Sequence, residues 1–299
     1  MIKSYKGDII LILSAMVYGS GLVAQSVGNA LGPWTFSAVR FLLGAAVLFP
    51  VALITYKKHP PETEEDDREM TVKEMIPGAI AIGVTLLVMV LTQQYGLLYT
   101  SVGKSGFITS TYVIGVPLSG VIFLKRKISR RIWLAALISV AGFYFISLSG
   151  GVEALNKGDL LTLITALTSV IYVHVINNIS KKANPYMFSC LQFFVTGILF
   201  LIGALIFETS TPEMFLDNLP SILYAGIGTC ATGYTLQMLG QKYVSPERAS
   251  ILLGTEALFS LFSGMVILNE MLSFREYLGC GLIFFAVMLA ESGGQKETE

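Results

Sequence analysis

Residues 247–289 read ERASILLGTEALFSLFSGMVILNEMLSFREYLGCGLIFFAVML. Positions 249–268 are apolar or small apart from one acid, Glu256. Twenty such residues, at about 1.5 Å each, cross the roughly 30 Å hydrocarbon core of a bilayer. Glu256 is the eighth of them, so it is expected about 11 Å along the span, near the midplane. A carboxylate at that depth is costly and normally faces a polar cavity or a partner rather than lipid. A short polar connection carrying Asn269, Glu270, Ser273, Arg275 and Glu276 leads into a second apolar run at 277–290. The stretch reads as a membrane hairpin with one ionisable group inside it.

The rest of the chain agrees with that reading. Hydrophobic residues make up 54% of the 299 and charged residues 13%, against about 25% charged in soluble domains. Mean hydropathy is +0.69. A net charge of zero argues against nucleic acid as a partner. Cys190, Cys230 and Cys280 all fall in apolar runs without CxxC spacing, which favours buried small residues over a disulfide or a metal site.

Apolar runs and their breakers predict ten spans, near 8–28, 34–55, 75–95, 102–124, 132–149, 159–178, 187–207, 219–239, 248–268 and 275–291. The first is a span and not a cleaved signal, because it has a counterpart later in the chain. Lys and Arg concentrate in alternate gaps: Lys57, Lys58, Arg68 and Lys73; then Lys125, Arg126, Lys127, Arg130 and Arg131; then Lys181 and Lys182; then Lys242 and Arg248. The other gaps hold only Lys104, Lys157 and Arg275. The expectation is a multi-pass protein of the inner or plasma membrane with both termini cytoplasmic. The acidic run at 62–69 reads as a solvated cytoplasmic loop.

The sequence also repeats itself. GDIILILSA from Gly7 matches GDLLTLITA from Gly158, and GPWTFSAVRF from Gly32 matches NPYMFSCLQF from Asn184. Pro77 and Gln94 fall opposite Pro220 and Gln237, and 104–129 aligns without gaps on 248–273. One membrane domain over 1–299 is therefore expected, with repeat one at about 7–150 and repeat two at about 158–292. Five spans per repeat is an odd number, so the halves should lie in opposite senses. Loop charge swaps accordingly, KRK at 125–127 giving way to NEM at 269–271. Inverted repeats are a device of alternating-access transporters, whose substrate site lies between the halves near the midplane.

AMVYGSGLVAQS, PWTFSAVRFLLGA, YGLLYTSVGKSGFITSTYVIGVPLSG and LLGTEALFSLFSGMVILNEMLSFREYLGCGLI together resemble the drug/metabolite transporter superfamily, in its EamA-type ten-helix branch. The resemblance covers about 7–291. It implies an all-α membrane bundle of two inverted five-helix repeats that moves small polar metabolites, often as an exporter of amino acids and related compounds. Two departures stand out: Tyr18 where many members have Trp, and LKRK at the end of the fourth span where Gly-Glu is frequent.

Several residues are candidates for substrate binding or coupling. Glu256 leads, either as a proton or amine site or as a structural hydrogen-bonding acid. Its repeat counterpart is Tyr112, which could face it across a pseudo-twofold axis. Arg40, about six residues into the second span, either snorkels to the headgroups or binds a substrate carboxylate; its counterpart is Gln192. Gln94 and Gln237 are repeat mates that either glue helices or line a site. His174, with Asn177 and Asn178, is a packing or relay group; without a second ligand at helical spacing it does not suggest zinc. Tyr18, Gln25, Thr109, Tyr172 and Tyr234 are suited to lining a cavity or to packing. Pro117 is expected to kink the fourth span, and Ser119–Gly120 and Ser263–Gly264 to allow close helix approach.

No phosphate-cradling loop, nucleophile elbow or HExxH is present, so neither an enzyme nor a cofactor is expected. The reading is a gradient-driven carrier or exporter of a small-molecule substrate such as an amino acid, with protons as one coupling option and membrane lipids as its surroundings. Its rivals are a translocase of lipid-linked or amphipathic solutes and, less favoured, an intramembrane enzyme. The sequence leaves open the solute, the direction of transport, the coupling ion, the oligomeric state and whether Arg40 and Glu256 meet.

Overall fold

The computed structural model describes residues 5–58, 69–100, 105, 108–147, 156–268 and 273–292. The acidic run at 62–68, Lys104, the connection at 148–155 and the loop at 269–272 lie outside the described residues. Among those described, regular structure is entirely helical. In order the helices are α1 (Lys6–Gly28), α2 (Pro33–Lys58), α3 (Val72–Gly96), α4 (Tyr112–Ile122), α5 (Arg130–Ser147), α6 (Lys157–Ser180) and α7 (Pro185–Phe207). Then come α8 (Pro212–Asp217), α9 (Leu219–Leu223), a π-helical segment (Tyr224–Tyr234), α10 (Thr235–Gln241), α11 (Pro246–Leu253), α12 (Glu256–Leu268) and α13 (Phe274–Ser292). Among the described residues, four helices are by length and composition long and apolar enough to cross a membrane: Pro33–Lys57, Val72–Gly96, Lys157–Ser180 and Pro185–Phe207.

Local chemistry sets the helix starts. Thr71 with Glu74 and Asn156 with Asp159 form reciprocal capping boxes on α3 and α6. Asn184 caps α7 ahead of Pro185, and Ser245 caps α11 ahead of Pro246. The start of α2 is capped from the other half of the chain. Glu208 accepts from Trp34 N at 3.1 Å, Thr35 N at 2.7 Å and Thr35 Oγ1 at 2.7 Å. Gly32 permits this approach, with φ of 99° and the Glu208 carboxylate where a β-carbon would stand.

Side-chain pairing gives the direction of packing. Trp34 meets Phe207, Phe41 meets Phe200 and Phe193, and Cys190 Sγ donates to Ala45 O. Numbers rise along α2 as they fall along α7, so these two helices are antiparallel. The glycine contacts also come in matched sets. Gly7 packs on Gly240 where α1 meets α10, and Gly158 packs on Gly96 where α6 meets α3. In both pairs the missing side chain lets one backbone approach the other's carbonyl.

Elements of the two halves interleave: α1 packs on the π segment, α10 and α12, while α6 packs on α3 and α4. The outer faces carry exposed Ile9, Leu13, Leu205, Phe207, Val266 and Phe274. So much exposed apolar surface suits a lipid environment. The interior holds buried amides, hydroxyls and Arg40.

Candidate functional site

The run at 249–268 is not one continuous helix, which corrects the expectation for this stretch. It breaks at Gly254–Thr255, where α11 ends and Glu256 opens α12. Thr255 N and Oγ1 both turn back to Leu252 O, at 3.2 and 2.7 Å. The repeat counterpart breaks in the same way: Thr111 N and Oγ1 turn back to Ile108 O at 3.2 and 2.6 Å, and Tyr112 opens α4. Each hydroxyl satisfies a carbonyl that a continuous helix would have bonded, so the chain restarts with a new helix N-terminus. At α12 that positive end of the helix dipole carries the Glu256 carboxylate. Broken helices are tolerated at membrane depth where protein or a polar cavity surrounds them.

Tyr234, the last residue of the π segment, is the hub of the interior. Its ring lies 5.0 Å from Tyr18, 5.6 Å from Phe193, 5.8 Å from Tyr172 and 6.3 Å from Phe41. It lies within electrostatic reach of both Arg40 and Glu256. Glu256 also reaches Tyr18 and Tyr112. The Tyr18 hydroxyl donates to Gln237 Oε1 at 2.7 Å, and Gln237 Nε2 donates to Gln241 Oε1 at 3.2 Å. Gln241 Nε2 then donates to Val173 O at 3.1 Å. This relay of hydrogen bonds ties α1 through α10 to α6. A π segment widens the helix and shifts the facing of every later residue. Tyr234 at its end and Gln237 just beyond it both meet Tyr18 of α1.

Arg40 does not snorkel. It is 2% exposed, its guanidinium 5.4 and 5.2 Å from the Phe36 and Phe41 rings, and its Nε has no hydrogen-bond partner. No ion pair joins it to Glu256 among the described residues. Ion pairs form elsewhere, between Arg248 and Asp8 at 2.9 Å and between Arg126 and Glu247 at 3.2 Å.

The structure thus joins Tyr18 to Gln237 and sets Glu256 within electrostatic reach of Tyr18, Tyr112 and Tyr234, while Arg40 acts on Tyr234 as well. His174 and Gln94 stand outside that group's bonded contacts. His174 Nε2 lies 2.8 Å from Ser119 Oγ and 3.1 Å from Val116 O, joining α6 to α4. Gln94 is fully buried, and neither of its side-chain polar atoms has a partner. Sequence reading missed Gln241 and the ring pair Phe41 and Phe193. Both rings sit in apolar helices where only three-dimensional packing separates cluster from filler. Gln241 did carry a signal, being one helical turn beyond Gln237.

The sequence model of the EamA-like transporter family matches residues 5–148 and again 156–291. An uncharacterized transporter of Archaeoglobus fulgidus is 27% identical over 96% of this chain and 86% of its own length. One of Clostridium kluyveri is 24% identical over 98% and 96%, and the uncharacterized transporter YetK of Bacillus subtilis 22% identical over 97% and 88%. A solved structure described as "Crystal structure of protein" superposes with a TM-score of 0.78 at 16% identity, over 95% of this chain and 96% of that one; this likeness concerns the fold. The chain belongs to the EamA-like transporter family and is a multi-pass membrane protein.

Proposed function

We propose that this EamA-family transporter is a ten-span carrier of small polar metabolites, amino acids or similar zwitterions, working by alternating access between two inverted repeats of the cell membrane. One observation supports the inversion. Helices α2 and α7 are repeat mates, and they pack antiparallel through Trp34–Phe207 and Ala45–Cys190. A twofold axis in the membrane plane relates mates in that way, whereas an axis along the membrane normal would leave them parallel. The breaks at Thr111 and Thr255, equivalent in both halves, support the repetition itself.

The observation that carries the function is the position of Glu256. It opens a broken helix, within electrostatic reach of Tyr18, Tyr112 and Tyr234, which come from both repeats. An acid in such a place takes up and releases a proton or receives a substrate amine. Alternating exposure of that acid to the two sides would couple solute movement to a gradient. The test is uptake of labelled amino acids and metabolites by the purified protein in liposomes, with and without a pH gradient. Accumulation of a panel member that depends on the gradient supports the reading. Failure of every solute to move under any gradient would sink it.

A further inference from the structure

We infer that the ion pairs Arg248–Asp8 and Arg126–Glu247 form a gate that closes the end of the bundle where the chain begins, and that both part when this end opens; this rests on the carrier reading above. The first pair is 2.9 Å long and the second 3.2 Å. Each joins the second repeat to the first. Glu247 and Arg248 stand in the first turn of α11, Asp8 in the first turn of α1 and Arg126 just beyond the end of α4. The side chains of Asp8 and Glu247 are 7% exposed, that of Arg248 15% and that of Arg126 34%, so the pair on α1 is the inner one.

The turn between α10 and α11 is the node on which these contacts close. Asn177 of α6 donates to Gln241 O at 3.0 Å and to Val244 O at 2.9 Å, and Gly7 of α1 packs on Gly240. On the α4 side, Glu247 seats against Gly120, where an added β-carbon would stand 3.1 Å from its Oε1. The chain after α4 folds back to bring Arg126 there. Arg126 N donates to Gly120 O at 2.9 Å, and Lys125 takes a φ of 52°. A lysine held in that left-handed region is strained, and such strain clusters at switches and functional sites.

The chemistry suits a contact that must release. Desolvation offsets much of the attraction in a buried ion pair, so apolar packing would brace the same place at least as well. Charges that part near a membrane surface regain water, which keeps the open state within reach. Arg248 is also the third residue of α11, at the positive end of the helix dipole, where a cation is disfavoured without a partner such as Asp8. The two ends of the bundle are latched unequally. Asp159 holds the place of Asp8 in the second repeat and accepts from Thr100 Oγ1 at 2.7 Å, again across repeats. The match of 104–129 with 248–273, carried back one residue, sets Gly103 opposite Glu247, so the outer pair has no counterpart.

The test follows a buried thiol in the purified full-length protein in liposomes, without solute. Ser250 is fully buried one turn beyond Glu247 and bonds back to its carbonyl at 2.8 Å. The parent carries Ser250→Cys, with Cys280→Ala to silence the half-buried native thiol. Its reaction rate with N-ethylmaleimide is the baseline. Adding Asp8→Asn should raise that rate about tenfold or more, because the closed state then buries an uncompensated Arg248. Glu247→Gln should raise it less, since Arg126 is partly solvated. The exchange Asp8→Arg with Arg248→Asp should return it toward the baseline. Cys190, buried on the α2–α7 contact, should stay slow throughout.

An unchanged rate in both single variants overturns the inference, as does an exchange variant that reacts as fast as Asp8→Asn. Exposure of Cys190 in step with the introduced thiol also overturns it, for the pair would then brace the whole fold. Should Asp8→Asn fail to fold, Glu247→Gln decides by the same readings. Gradient-driven uptake scores the carrier reading separately: uptake with no change in thiol exposure would uphold the carrier and remove this gate.

Discussion

The Tyr18 hydroxyl donates to Gln237 Oε1 across the contact between α1 and α10, at 2.7 Å. These helices belong to different repeats, and Gln237 passes the link on to Gln241 and so to α6. Tyr18→Phe removes the donor and leaves a buried amide oxygen unmatched. Interhelical hydrogen bonds in membrane proteins contribute about 0.6 kcal/mol on average and at most about 1.7. Unfolding in mild detergent should show a loss within that range. The double variant Tyr18→Phe with Gln237→Met should lose less than the sum of its singles, because the pair acts as one unit. Strict additivity would mean that the bond contributes nothing.

Glu256→Gln keeps the shape of the side chain at the start of α12 and removes its charge. The variant should insert and unfold like the wild type, yet lose gradient-driven accumulation while retaining solute exchange if the acid couples protons. Full gradient-driven activity would reduce Glu256 to a structural hydrogen-bonding group. Attention would then pass to Arg40, Gln94 and Gln237.

The paired glycines give a prediction on stability. A β-carbon on Gly158 would stand 2.6 Å from Gly96 O and 2.8 Å from Thr100 N, so the obstruction is backbone. At Gly7 the nearest atoms are the side chains of Val244 and Tyr243, at 2.7 and 2.8 Å. Gly158→Ala should therefore destabilise more than Gly7→Ala, by about 1–3 kcal/mol for the former. Thermal unfolding of the two variants side by side would measure the difference, and equal losses would contradict it.

Topology is open to a direct assay. Cys190 and Cys230 are buried, which limits background reaction. Cysteine placed at Ala154 should react with an impermeant thiol reagent added to intact cells, and cysteine at Glu64 only after permeabilisation. The opposite pattern would place both termini outside.

Much of the fold was legible because a membrane simplifies what a sequence must say. Lipid demands long apolar helices, and the chain writes them as apolar runs closed by caps such as Thr71 and Asn184. The repeat was legible for a related reason: duplicated helices keep duplicated contacts, as the matches at Gly7 and Gly158 already implied. The break before Glu256 was not read, although Gly254–Thr255 carried its signal, because an apolar run does not reveal where its backbone bonds switch partners. The sequence by itself determined an all-helical membrane chain that repeats itself and which few polar side chains enter its apolar runs. Only the tertiary structure decided which of those side chains meet. It put Tyr234 within electrostatic reach of both Arg40 and Glu256, joined Tyr18 to Gln237 and left Gln94 without a side-chain partner. The reason is rotational. A helix writes its depth in residue count, but the direction a side chain faces depends on helix packing and on interruptions such as the π segment, and neither is fixed by local sequence.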